Sequence, residues 1–276
     1  MEFRPLRDPT ELSEDELARR IVEEAERQTR EQRLRSMAPW ERALLIGLKR
    51  MTYWVTRHWV ALFNVMLALY LGLAFLAPVL AKTGHLSAAH TLYRLYSFVC
   101  HEYPFRSWFL FGEHSHYPLQ TPLSIEDMNR SRQFIGGEQW GYKVALCQRD
   151  VAIYGSMLIG GMLYSVVRRK WRLRPLPFSL VLGCGVLPIA LDGGLQWLSY
   201  LAWAIFPQWV NTPHETTAFL RTLTGALFGL SLIGFAYPQV DEEFFRETET
   251  LLAWQLRQAA NAAGSPADAK PLEELL

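Results

Sequence analysis

The chain has 276 residues, half of them hydrophobic, with ten Trp and a formal net charge of +1. Such a balance carries no global field of the kind that draws nucleic acid or acidic substrates. The average hides a segregation: residues 1–58 and 238–276 are polar and charged, while the middle holds nearly all the long apolar runs. That pattern predicts an all-α polytopic membrane protein with soluble helical N- and C-terminal tails.

Residues 11–36 predict a solvated helix, rich in Glu, Ala, Arg and Gln, without Gly or Pro, and with Thr10 as N-cap. The mixed charges of this cytoplasmic arm, 1–58, exclude a cleavable leader and make the first span an uncleaved anchor. That span covers about 59–81 with Asn64 as its polar interruption. At a rise of about 1.5 Å per residue it crosses roughly 30 Å of hydrocarbon. A long outer loop, 82–143, follows; within it 86–100 predicts a helix with an aromatic face. The stretch 113–143 reads as an ordered surface loop or small cap.

The second span is placed at about 144–167 and ends at Arg168, Arg169, Lys170, Arg172 and Arg174. The third, about 176–191, is expected to break at Asp192-Gly193-Gly194 and lead into an interfacial or re-entrant helix, 195–206. The fourth, about 217–237, is closed by Pro238, and an amphipathic helix over 241–262 follows in the cytoplasmic tail, 238–276. The fold class is therefore about four transmembrane helices with one extra interfacial or re-entrant helix.

Basic residues orient these spans. Eleven Lys and Arg lie in the first fifty residues, five in 168–175, and none in 192–216. Short basic loops stay inside, so both termini are expected in the cytoplasm of a multi-pass cell-membrane protein. The same orientation gathers the unusual polar residues at the outer leaflet. They are Cys100, His101 and Arg106, then Cys147, Arg149 and Asp150, then Asp192 and Gln196, and finally His214, Glu215, Arg221 and Thr224. An ionisable residue at membrane depth costs roughly 2.5–3.5 kcal/mol on insertion scales, so such residues face the bundle and pair. Arg149 or Arg221 with Asp150 or Asp192 is the natural pairing. Two readings stand open: an ion-pair network holding the helices in register, or a binding site. The binding candidates are His101, Arg106, Arg149, Asp150, Asp192, Gln196, Arg221 and Thr224.

Cys100 and Cys147 flank the outer loop in a compartment where thiols oxidise, so a Cys100–Cys147 disulfide is expected and no metal or other cofactor. The alternative is a zinc or copper site from Cys100, His101 and Cys147, with Asp150 or Asp192. Cys184, between Gly183 and Gly185, reads as a small packing residue.

The segments CHEYPFRSWFLFG (100–112), CQRDVAIYG (147–155), LDGGLQW (191–197) and ETTAFLRTLTGALFG (215–229) resemble a family of uncharacterised prokaryotic integral membrane proteins. Its members show Cys-His-x-x-Pro-x-Arg-Ser, Cys-x-Arg, Asp-Gly and Arg-x-x-Thr-Gly motifs. The matching positions are Cys100, His101, Pro104, Arg106, Ser107, Cys147, Arg149, Asp192, Gly193, Arg221, Thr224 and Gly225. Glu102 stands where Gln is usual, and the gap from Gly112 to Cys147 is longer than in the family. The resemblance implies a membrane fold and a shared polar site, and brings no activity with it.

Three functions fit these residues. One is binding or transport of a small anionic solute or lipid headgroup by Arg106, Arg149 and Arg221, with Asp192 and His101 relaying protons. Another is an outer-leaflet enzyme with His101 or His214 as base and Asp192 as its orienter or a metal ligand. The last is an accessory subunit docked through the N-terminal arm or the C-terminal helix. Membrane lipid is the expected partner, together with other membrane subunits in the last case, and nucleic acid is not.

Overall fold

The computed structural model describes residues 22, 25, 37–101, 103–119, 130–168, 170–210 and 212–262. Apart from Val22 and Ala25, the helix expected over 11–36 lies outside the described residues, as do Glu102, Arg169 and the end from Gly264. The described chain is mostly helical. In order it forms α1 (Pro39–Lys82), α2 (Leu86–Tyr96), β1 (Ser107–Leu110), β2 (Gly136–Gly137), β3 (Gly141–Cys147), α3 (Gln148–Val167), α4 (Phe178–Ile205), α5 (Ala218–Val240) and α6 (Glu247–Ala262). Helices α1, α3, α4 and the run that begins with α5 are each long and apolar enough to cross a membrane.

The chain divides into two compact units: residues 1–54 with 249–276, and residues 55–248. In the first, α1 opens with Pro39, and the Ala38 N–H donates to Glu41 Oε2 at 3.0 Å, which satisfies an otherwise orphan donor. Its share of α6 exposes Leu251 and Trp254, two apolar side chains of the expected amphipathic tail. The second unit holds everything described below.

Small residues bring α3 and α5 together. A Cβ on Gly229 would lie 2.1 Å from Ser156 Oγ and 2.5 Å from the Ile153 carbonyl oxygen, and one on Gly225 2.7 Å from the Arg149 carbonyl oxygen. Backbones this close gain packing that larger side chains forbid, the usual device between helices in lipid. Gly161 plays the same part toward α1, where its Cβ would lie 2.2 Å from Asn64 Oδ1. Gly229→Ala is therefore expected to destabilise by about 1–3 kcal/mol through overpacking. Gly155→Ala, where the added methyl meets nothing within 4 Å, is the control. Thermal unfolding in detergent compares the two, and equal melting temperatures would refute the packing argument.

The loop over 82–143 contributes a three-stranded antiparallel sheet in the order β1-β3-β2. Residues 141–147 are a strand, so the second span starts at Gln148 rather than at Val144. Val144, Ala145 and Leu146 are fully buried in a cluster with Tyr93, Tyr96 and Cys100. A strand segment buried on both faces has no apolar–polar alternation, so residues 144–146 read as the start of an apolar span. The Tyr93 hydroxyl donates to the Lys143 carbonyl at 2.6 Å, and the Tyr96 hydroxyl to the Tyr70 carbonyl. These bonds fix α2 between α1 and β3.

Two further expectations are corrected. Helix α4 does not break at Asp192-Gly193-Gly194, because residues 187–205 are continuous helix and no separate interfacial helix forms over 195–206. Glycine costs a helix only about 1 kcal/mol relative to Ala. The irregularity of α4 lies earlier, in a π-helical segment, Val181–Val186. Nor does Pro238 close the fourth span: α5 runs through it to Val240 and passes into a second π-helical segment, Asp241–Arg246.

Candidate functional site

Cys147 ends β3 and caps α3, its Sγ accepting from the Asp150 N–H at 3.4 Å. The strand-to-helix junction thus delivers Gln148, Arg149 and Asp150 on the first turn of α3. A turn at Pro104–Arg106 delivers Arg106 just before β1, whose Ser107 pairs with Cys147. Helix α4 supplies Asp192, Gln196 and Tyr200; the segment before α5 and its first turns supply Glu215, Thr216, Arg221 and Thr224.

Glu215 is the hub. Arg106 Nε donates to both of its oxygens at 3.1 Å, and Arg106 Nη2 forms an ion pair with it. Gln196 Nε2 donates to it at 2.6 Å, and the Tyr200 hydroxyl and Arg221 Nη2 complete the set. Arg221 is buried. Its Nε donates to Thr216 Oγ1, and its Nη1 to the Phe105 carbonyl and to Gln148 Oε1, each at 3.1 Å. Gln148 in turn donates to the Ser107 carbonyl at 3.2 Å, which ties the network to the sheet.

Asp192 is the second acid. It is 6% exposed, forms an ion pair with Arg149 Nη2, and accepts from Thr224 Oγ1 at 3.1 Å. Arg149 also donates to Gln196 Oε1 at 3.3 Å, linking the two acids. Gly193 makes room: a Cβ there would lie 3.2 Å from Arg149 Nη1. Two buried atoms of this centre, Arg149 Nε and Asp192 Oδ1, have no hydrogen-bond partner among the described residues.

Around Arg106 the electrostatics favour charge. Burial works against its ionised form, but the hydrogen bonds and charge of Glu215 outweigh it and hold the guanidinium above its usual range. The group lies 5.0 Å from the centroid of the Tyr200 ring and 5.2 Å from that of Tyr103, over which the His101 ring also stacks. Burial pushes the His101 pKa down, and the charges of Arg132 and Arg106 push it further, against an opposing pull from Asp150.

Of the sequence candidates, Arg106, Arg149, Asp192, Gln196, Arg221 and Thr224 join in one network. His101 and Asp150 have no side-chain hydrogen bond to it. The expected pairing is resolved as Arg149 with Asp192; Arg221 takes Glu215, an acid absent from the candidate list. Tyr200, Gln148 and Thr216 were also missed. Glu215 had a signal, a carboxylate six residues before a membrane-embedded Arg, whereas the neutral residues had none.

The cysteines depart from expectation. No disulfide joins Cys100, Cys147 or Cys184, so the expected Cys100–Cys147 bridge is not formed. Cys184 is exposed rather than packed. The donor group that does assemble is Cys100, Cys147 and Asp150, with ligand atoms within 4.8 Å of one another. Neither His101 nor Asp192 belongs to it: His101 stacks on Tyr103, and Asp192 is taken by Arg149.

A second buried charge centre sits at the other ends of α3 and α5. Asp241 is 1% exposed and accepts from Trp59 Nε1 at 3.0 Å and the Tyr164 hydroxyl at 3.2 Å. It pairs with Arg168 at 2.9 Å and Arg246 at 3.3 Å. Arg168, first residue of the basic loop, thus serves the packing of the bundle as well as marking a loop.

Residues 129–235 match the family described as "Predicted membrane protein (DUF2085)". The chain is also similar to the uncharacterized protein MJ1492 of Methanocaldococcus jannaschii, 24% identical over 196 residues, which cover 69% of this chain and 97% of that protein. No solved structure matches the chain. The family match spans Arg149, Asp192, Glu215 and Arg221, so these four lie in the part of the chain that resembles this family of predicted membrane proteins.

Proposed function

We propose that the protein binds a small oxyanion, a phosphate or carboxylate group, at the Arg106–Arg149–Arg221 centre. One observation carries this reading: among the described residues three guanidinium groups meet only two carboxylates in the network, and the buried Arg149 Nε has no acceptor. A surplus cation with a free donor favours an anion, and guanidinium suits oxyanions through paired donors. The positive-inside rule assigns the basic loop and both termini to the cytoplasm of a cell membrane, so the centre lies toward the outer leaflet. The anion comes either from a free solute or from a lipid headgroup, and transport is an extension of the same reading.

A second reading is favoured by Glu215, which takes donors from four side chains on three segments. Here the centre only clamps the helices together. Thermal shift of the detergent-purified chain separates the two. Inorganic phosphate and a short-chain phosphatidylglycerol are titrated separately, and one of them is expected to raise the melting temperature. Arg149→Gln is expected to weaken that binding about tenfold or more, the loss of one charged hydrogen bond. If neither probe shifts the wild-type protein, or if Arg149→Gln lowers the melting temperature without changing the response, binding is refuted and the clamp stands.

A further inference from the structure

The geometry points to a zinc-class metal site formed by Cys100, Cys147 and Asp150. Their ligand atoms lie within 4.8 Å of one another, although the two cysteines are 47 positions apart in sequence. One ion about 2.3 Å from each sulfur and about 2.0–2.2 Å from a carboxylate oxygen spans such a triangle.

The fold builds each donor rigidly and from a different constraint. Cys100 is 7% exposed and lies in the apolar cluster with Tyr93, Tyr96 and Leu146; its N–H donates to the Tyr96 carbonyl at 2.9 Å, which fixes it to the end of α2. Cys147 is held twice, by pairing with Ser107 in the sheet and by the cap on the Asp150 N–H. Asp150 sits one turn along from that cap, on the N-terminal turn of α3, where the helix dipole favours a negative charge. Among the described residues no arginine takes it up in an ion pair, unlike Asp192, the other acid of the binding candidates, and this leaves its carboxylate available to a metal.

Two sulfurs and one carboxylate oxygen suit zinc and leave a fourth position open. Binding releases two thiol protons to solvent as the sulfurs coordinate, with no change of oxidation state. The bound cation with two thiolates and a carboxylate carries net negative charge. This site is separate from the oxyanion centre in ligands, and adjoins it through Gln148 and Arg149.

The test is elemental analysis of the full chain, purified in detergent without metal-affinity resin, with peptide mass spectrometry under non-reducing conditions. About one zinc per chain is expected. It should fall to background in Cys147→Ser and stay unchanged in Cys184→Ser. Because buried variants can fail to fold, the wild-type protein is also stripped with chelator and reloaded with cobalt(II). A sulfur-to-cobalt charge-transfer band in the near ultraviolet is expected, and Asp150→Asn should lose cobalt to chelator at least tenfold more readily. A Cys100–Cys147 disulfide in the native protein, zinc content indifferent to Cys147, or cobalt loading without the charge-transfer band would each overturn the site. None of these outcomes bears on phosphate binding at Arg149, so the two proposals fail independently.

Discussion

Replacing Glu215 with alanine is expected to destabilise the protein by about 3–5 kcal/mol, the penalty for stripping the partner from a buried ion pair. The side chain of Glu215 is 11% exposed and that of Arg221 only 4%, so water cannot replace the lost carboxylate at Arg221. Arg106 is more open at 21% and will recover part of its loss by hydration. Gln196 and Tyr200 lose an acceptor at the same time. Glu215→Gln keeps the shape and some hydrogen bonds but not the charge, and should fall between alanine and wild type. Adding Arg221→Met to Glu215→Ala should return part of the stability, because the cation left uncompensated is then gone. Chemical unfolding in detergent measures all three against Glu138→Ala, an exposed acid of the loop. A Glu215→Ala value no larger than that of Glu138→Ala would remove Glu215 from the centre of the network.

Asp241→Ala is expected to cost about as much at the other end of the bundle, again about 3–5 kcal/mol. The carboxylate is 1% exposed and joins four side chains: Trp59 of α1, Tyr164 and Arg168 at the end of α3, and Arg246. Its removal leaves Arg168, 10% exposed, without its counter-charge, and two donors without an acceptor. Arg246, 31% exposed, is solvated and adds little. Asp241→Asn retains an acceptor for Trp59 and Tyr164 and should lose less. Trp59 stacks on Phe245 at 4.9 Å and meets Tyr237 edge-on at 5.0 Å, so its emission, isolated from that of the other nine Trp as the difference from a Trp59→Phe chain, reports on the site. An unchanged emission spectrum together with stability within about 0.5 kcal/mol of wild type would refute the assignment.

Much of this arrangement was legible in the sequence because lipid is a demanding solvent. Apolar runs of membrane length announced the spans, and ionisable residues beside them had to converge or leave. Arg106, Arg149, Asp192, Gln196, Arg221 and Thr224 were gathered on that ground alone, and the structure unites them. The identity of the pairs was not legible. Whether Arg221 meets Asp192 or Glu215 depends on the rotation of α5 about its axis, and composition does not carry that angle. The sheet was hidden for a different reason. Residues 144–146 of its strand β3 are apolar on both faces, and the Gln148-Arg149-Asp150 that follows reads as the polar outer turn of a span begun at Val144, so strand and span read as one run. The break forecast at Asp192-Gly193-Gly194 misjudged what those glycines do. Gly193 admits the Arg149 guanidinium beside an intact helix.

The π-helical segment at Val181–Val186 has a consequence for comparing this chain with its relatives. Such a segment holds one residue more than the α-helix it interrupts. Each residue turns a helix by about 100°, so one extra residue decides which side of everything downstream looks toward α5. Asp192 and Gln196 reach the network only in the register this insertion sets. A related chain lacking the extra residue would present a different stripe of the same downstream sequence. A single gap, moved by a few columns in an alignment, would then match the wrong side chains to Asp192.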